Sequence, residues 1–187
     1  MSNIFFDISK LKRCGKNVII GKTVRIRYPE LVELGDNVII DDFTYISTSL
    51  IIDSYVHIAS GCKLIGGGDA SIVFGSFSTL APNVVLAAGS DDYEAGIATP
   101  LVAKEYKGSI DVGMIEIGRH SIVGANSVVL PNVMFGEGAA LGALSLAKQN
   151  LSPWSLNAGV PSKKIKTRNK EEILKLEQQF IERLKNE

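Results

Sequence analysis

An all-β column, coiled from short strands, is the architecture predicted by three features of the 187-residue sequence: large apolar residues every six positions, glycine after many of them, and a small residue four after. The apolar series runs Leu34, Ile40, Ile46, Ile52, Ile58, Leu64, then Phe74, Leu80, Leu86 beyond a four-residue insertion, and Ile117, Val123, Val129, Phe135, Leu141, Ala147 beyond a longer break. Fourteen of these fifteen are Leu, Ile, Val or Phe, where a chain about one-third so composed would supply about five. A helical face repeats near 3.6 and a half-buried strand at 2, so a period of six requires the chain to turn after each short strand. Three strands then make a coil of about 18 residues, and residues one coil apart stack at the roughly 4.8 Å spacing of paired strands.

The corners carry their own signature. Gly35, Gly75, Gly118, Gly124, Gly136 and Gly142 follow inward residues, as a corner with permissive backbone angles would require. Thr44, Cys62, Ser78, Ser121, Ser127, Ala139 and Ser145 supply the small side chain four after. Two interruptions follow in order. Residues 65–73, IGGGDASIV, take up the four-residue insertion as a glycine-rich bulge. Residues 87–116, containing SDDYEAGIATP, are longer than a plain connection needs and predict an excursion with a function. After the domain at 1–168, residues 169–187 predict an amphipathic helix, with Ile173, Leu176, Phe180 and Leu184 on one stripe, Asn169 as cap and Glu172 three residues on.

Composition bounds the function. Forty-five per cent apolar and 21% charged residues in 20.1 kDa exclude a disordered chain and leave room for one domain. Twenty basic and twenty acidic residues give zero net charge, so no broad nucleic-acid footprint is expected. Cys14 and Cys62 form no C-x-x-C or His/Cys cluster, which argues against a disulfide framework or a zinc site and for a reducing compartment. The first residues lack a signal-peptide apolar region, and no apolar run approaches the roughly 18–20 residues of a bilayer span. A cytoplasmic protein without membrane insertion is the expectation.

IGRHSIVGANSVVLPNVMFGEGAALGALSLAK, closing with AGVPSKKIKTR, resembles the hexapeptide-repeat acyltransferases over roughly residues 15–168. Through YVHIAS, SDDY and the same repeat segment, the chain is most similar to acetyltransferases of bacterial surface-polysaccharide pathways. The resemblance implies a left-handed parallel β-helix, a homotrimer with sites between subunits, acetyl-coenzyme A as co-substrate without a metal, and a sugar hydroxyl or nucleotide-linked amino sugar as acceptor. The handedness comes from the resemblance alone, because ordinary parallel crossovers are right-handed.

Acyl transfer needs a base near the acceptor, donors for the developing oxyanion and a groove for the carrier. The only histidines are His57 and His120. His57 precedes the inward Ile58 and should point outward from a rigid strand, and the resemblance favours it as base, with His120 second. The T-x-T-H-P-like stretch that supplies the base in many maltose and galactoside acetyltransferases reads LAAGSDDYEAG here and holds no histidine. Asp91, Asp92 and Tyr93 are candidates for binding the sugar, with a solvated turn as the competing role for the aspartates. Ala125, Gly142, Ala143 and Ser145 would admit an extended pantetheine arm. Lys148, Lys163, Lys164 and Arg168, together with Lys166, form a basic cluster suited to phosphates, or alternatively a solvated stretch before the tail. Gly159 and Pro161 belong to the AGVPSK motif, which the resemblance places at the adenine end of coenzyme A. No G-x-x-x-x-G-K-[ST] or G-x-S-x-G occurs, so direct attack on the thioester is simpler than a covalent acyl-enzyme. A serine acetyltransferase would need a helical N-terminal domain for which there is no room. A non-catalytic or metal-binding β-helix remains the alternative, although two histidines fall short of the three such a metal site uses.

Overall fold

The computed structural model describes residues 6–186, so residues 1–5 of the predicted domain lie outside the described residues. The chain winds as a β-helix with three flat faces of parallel strands, and the inward residues stack in three columns. On the first face Ile26, Ile46, Leu64, Leu86, Val129 and Ala147 are successive register partners. The second face stacks Cys14, Leu34, Ile52, Phe74, Ile117, Phe135 and Leu151. The third stacks Ile20, Ile40, Ile58, Leu80, Val123, Leu141 and Asn157. Every member of the six-step apolar series lies in one of these columns and is buried. A single coil leaves its inward residues half open above and below, and stacking closes them at about 1.5–3 kcal/mol per large side chain.

The third column ends on a polar residue. Asn157 donates through Nδ2 to Ser155 Oγ at 2.8 Å and to Ala140 O at 3.4 Å. Beyond it the strand Ser162–Thr167 turns back antiparallel to Ser155–Gly159 and covers the open edge. Lysines on such an edge also discourage pairing with another chain.

The corner glycines act differently from the sequence expectation. None of Gly35, Gly75, Gly118, Gly124, Gly136 and Gly142 has positive φ; that conformation falls two residues later, on Asn37, Phe77, His120, Asn126, Gly138 and Leu144. The glycines are required by close approach: a Cβ on Gly75 would lie 2.6 Å from Arg119 N in the next coil. The small residues inside the corners are buried. Their hydroxyls satisfy corner carbonyls, as Ser78 Oγ donates to Gly75 O at 2.6 Å and Ser127 Oγ to Gly142 O at 2.8 Å.

Both interruptions stand out from the column. Ile65 pairs with Ser47 and Ser71 with Ser49, so the four-residue insertion is absorbed between them, where the first face turns into the second. The excursion is shorter than the predicted 87–116. Ala87 still pairs on the first face, Ala88 is buried, and Met114–Ile117 already pairs on the second. The projecting part is 91–110, closed at its base by Gly89–Ser90 antiparallel to Asp111–Val112.

The tail forms the helix α1, Lys170–Lys185, capped by Asn169 Oδ1 accepting from Glu172 N at 3.1 Å. It docks where the second face turns into the third. There Tyr55, Phe77, His120 and Trp154 occupy the same left-handed position of their coils and form a ladder: Tyr55 on Phe77 at 5.0 Å, Phe77 on His120 at 5.3 Å, His120 near Trp154 at 6.0 Å. Phe180 of α1 meets Tyr55 and Phe77 edge-on, and Glu177 accepts hydrogen bonds from Arg119 and His120.

Candidate active site

His57 stands on the third face, its backbone held from the coil above: His57 N donates to Ser78 O at 3.3 Å, and His57 O accepts from Thr79 Oγ1 at 3.1 Å. Its side chain is half exposed, and Nε2 lies 2.8 Å from Asp41 Oδ2. A carboxylate can only accept, so Nε2 carries the proton of the neutral ring and Nδ1 keeps a free lone pair. That is the state a general base needs. Asp41 was not singled out in the sequence, although the 18-residue coil carries the signal: Ile40 lies beneath Ile58, so Asp41 follows it toward the corner beside His57.

His120 is placed otherwise. It sits on the edge leading to the third face, two residues before Ile122, and is buried with φ 59°. Phe77 and Trp154 flank its ring, and its Nε2 lies 3.0 Å from Glu177 Oε2. Burial first, then the Arg119 charge, holds its pKa below the ordinary histidine value. A neutral ring donating to Glu177 serves to dock the helix.

The three loop candidates divide. Asp92 organises the excursion: Oδ1 accepts from Glu94 N at 2.8 Å and Ala95 N at 3.0 Å, and Oδ2 from Ser109 N at 2.9 Å. These amides, Ser109 first, hold its carboxyl below the usual carboxylate range. Asp91 and Tyr93 are exposed at the rim of a cavity of about 450 Å³, whose floor is formed by Ile65, Ala87, Val128, Leu130 and Pro131. That floor, on the first face and outside the sequence candidates, combines an apolar bed with one free carboxylate, a common form for a small polar-edged ligand. Within one chain this cavity and His57 occupy different faces.

The small-residue candidates form one strip along the edge between the third and first faces. Leu144 N donates to Ala125 O at 2.9 Å, and Gly159 N donates to Ser145 Oγ at 3.0 Å. Ala143 is exposed, Ala125 and Gly142 are half-buried, and Ser145 is buried and ties coils together. His57 and Asp41 flank the same edge two to three coils away. Gly159 and Pro161 lie at the tip of the terminal hairpin, with Lys163, Lys164 and Lys166 exposed on its return strand and Lys148 exposed on the neighbouring face. Arg168 is separate. Its Nη1 donates to His120 O at 2.8 Å and Gly138 O at 2.7 Å, so it fastens two coils together. Among the described residues no group of three His, Cys, Asp or Glu is placed to hold a metal ion.

No family model matches the chain. It is, however, 35% identical over 173 residues to the dTDP-4-amino-4,6-dideoxy-D-glucose acyltransferase of Escherichia coli, covering 90% of this chain and 88% of that one. The chain belongs to the hexapeptide-repeat sugar acyltransferases. The structure of AntD, an N-acyltransferase from Bacillus cereus in complex with dTDP and 3-hydroxybutyryl-CoA, superposes with a TM-score of 0.91 at 34% identity, covering 98% of this chain and 100% of AntD. A maltose O-acetyltransferase from Clostridium difficile shares the fold at 18% identity and a TM-score of 0.57, covering 87% of this chain and 72% of that one. As a member of this family the chain is an acyltransferase with a coenzyme A thioester as co-substrate. The exposed lysines and the open strip suit such a donor: cations for phosphates at one end, unobstructed backbone for the pantetheine arm along the edge.

Proposed function

We propose that the chain transfers an acetyl group from acetyl-coenzyme A to the amine of a nucleotide-linked amino sugar, in a site completed by a second copy, the assembly being a cytoplasmic homotrimer. Similarity over nine-tenths of the chain to an acyltransferase named for dTDP-4-amino-4,6-dideoxy-D-glucose carries the acceptor class. AntD has itself been captured with dTDP-4-amino-4,6-dideoxyglucose and coenzyme A. The cavity beneath the excursion receives the sugar, with Asp91 and Tyr93 at its rim and Asp92 holding the loop in shape. Ala125, Gly142, Ala143 and Ser145 border the pantetheine arm, Gly159 and Pro161 the adenine, and Lys148, Lys163 and Lys164 the phosphates. No described helix is long and apolar enough to cross a membrane.

The chemistry is direct transfer. The acceptor nitrogen attacks the thioester carbonyl, a C–N bond forms and the C–S bond breaks. His57 Nδ1 takes the proton lost by nitrogen, Asp41 stabilises the resulting imidazolium, and that proton returns to the departing thiolate. Because His57 and the cavity lie on different faces of one chain, apposition of two copies is what brings base and acceptor together. His57→Ala should reduce kcat with dTDP-4-amino-4,6-dideoxyglucose by about 10²–10⁴, read as thiol release. Undiminished turnover in that variant removes His57 from the mechanism. Release of thiol with free glycosides but not with the amino sugar reassigns the acceptor to a hydroxyl.

A further inference from the structure

On the edge between the third and first faces the left-handed position of successive coils is occupied by Phe43, Gly61, Asn83, Asn126 and Leu144. Glycine and asparagine adopt that conformation readily, whereas a bulky side chain does so against steric resistance. Phe43, at φ 64°, is also 69% exposed. The contrast with the opposite edge is informative: Tyr55 and Phe77 take the same conformation, but they stack on each other and are covered by Phe180. Phe43 has no comparable cover.

Its corner is nonetheless firmly fixed. Thr23 N and Oγ1 both donate to Asp42 Oδ1 at 2.7 Å, Phe43 N donates to Thr23 Oγ1 at 2.8 Å, and Lys63 Nζ reaches Phe43 O at 3.4 Å. Strain retained in an over-determined corner is characteristic of ligand-contacting positions. Phe43 is two residues from Asp41, which holds His57 at 2.8 Å. A lone aromatic ring rimmed by carboxylates and a hydroxyl matches a sugar, whose C–H face lies on the ring while its polar edge meets the rim.

We propose that Phe43 is a specificity-determining residue whose ring stacks against the acceptor hexose beside His57. The inference rests on the reading of His57 as the base. Phe43→Asn relieves the backbone conformation with a residue already used at positions 83 and 126. It should leave the melting temperature unchanged or raise it by about 1–4 °C. The KM for dTDP-4-amino-4,6-dideoxyglucose should rise by about three- to tenfold, with the KM for acetyl-coenzyme A and the assembly mass unchanged. Phe43→Tyr should restore the acceptor KM. In Phe43→Trp, which tests the contact without kinetics, the added indole fluorescence should change on titration with the same nucleotide sugar. An unaltered acceptor KM, a change confined to the donor KM, loss of assembly, which would assign the ring to a second copy, or an indifferent tryptophan each overturns the proposal. Unimpaired His57→Ala instead overturns the underlying reading, so the two failures are separable.

Discussion

Arg168 and Lys163 carry the same charge, four and nine residues after Gly159, yet only one is free to meet a ligand. Both Arg168 bonds go from one nitrogen to main-chain carbonyls of neighbouring coils, at 2.8 and 2.7 Å. Lys163 stands exposed on the return strand. Arg168→Ala strips two carbonyls of a charged donor and should lower stability by about 2–3 kcal/mol, or the melting temperature by about 4–10 °C, leaving the KM for acetyl-coenzyme A nearly unchanged. Lys163→Ala should do the reverse, raising that KM by about two- to fivefold at constant melting temperature. Melting curves beside donor titrations decide it, and a donor KM that moves more in Arg168→Ala than in Lys163→Ala would count against the division. The basic cluster was legible as a run of charges in AGVPSKKIKTR. What separates its members is which carbonyls lie within reach once the last coil closes, and that has no local signature. Asp41 was hidden for a similar reason, since its partner is one coil away.

At the scale of the element, helix α1 depends on a ring ladder that the six-residue repeat did not announce. The repeat marks inward positions, whereas Tyr55, Phe77, His120 and Trp154 occupy the outer edge, where Asn or Gly is the cheaper choice. The helix itself was readable from its stripe and cap, but its docking surface appears only when coils are stacked. His120 gives this surface a pH dependence. Burial first, then Arg119, with Arg168 adding and Glu137 opposing, sets its folded pKa below the ordinary 6.5; Glu177 faces it from the helix. The unfolded chain therefore takes up a proton that the folded chain declines. The associated stability is complete above about pH 6.5 and is lost progressively as the pH falls toward the folded value. Urea midpoints between pH 7.5 and 5 should decline more steeply for the wild type than for His120→Asn, a residue that tolerates the left-handed backbone. Parallel slopes would show that another group titrates.

Over the whole molecule the three faces differ in what they turn outward. The first presents Arg25, Tyr45, Lys63, Val85, Val128 and Leu146, and the second Arg13, Glu33, Ile51, Val73, Glu116 and Met134. The third presents Ile19, Ile39, His57, Thr79, Ile122, Ala140 and Leu156, with no lysine, arginine or acid among these strand positions. An apolar strip carrying an imidazole held by a carboxylate is better suited to a partner than to water. It also accounts for a base that lies on a different face from its acceptor cavity. Ile122, 39% exposed and two coils above His57, lies at the centre of this strip. Ile122→Arg places a charge there without touching the inward column, so circular dichroism and melting of the chain should stay close to wild type. Light scattering should show the assembly falling to single chains, and turnover should fall with it by at least about tenfold, because each chain then lacks the neighbour that completes its site. A monomer that retains full activity would place base, donor and acceptor on one chain and return the search for the acceptor cavity to the third face itself.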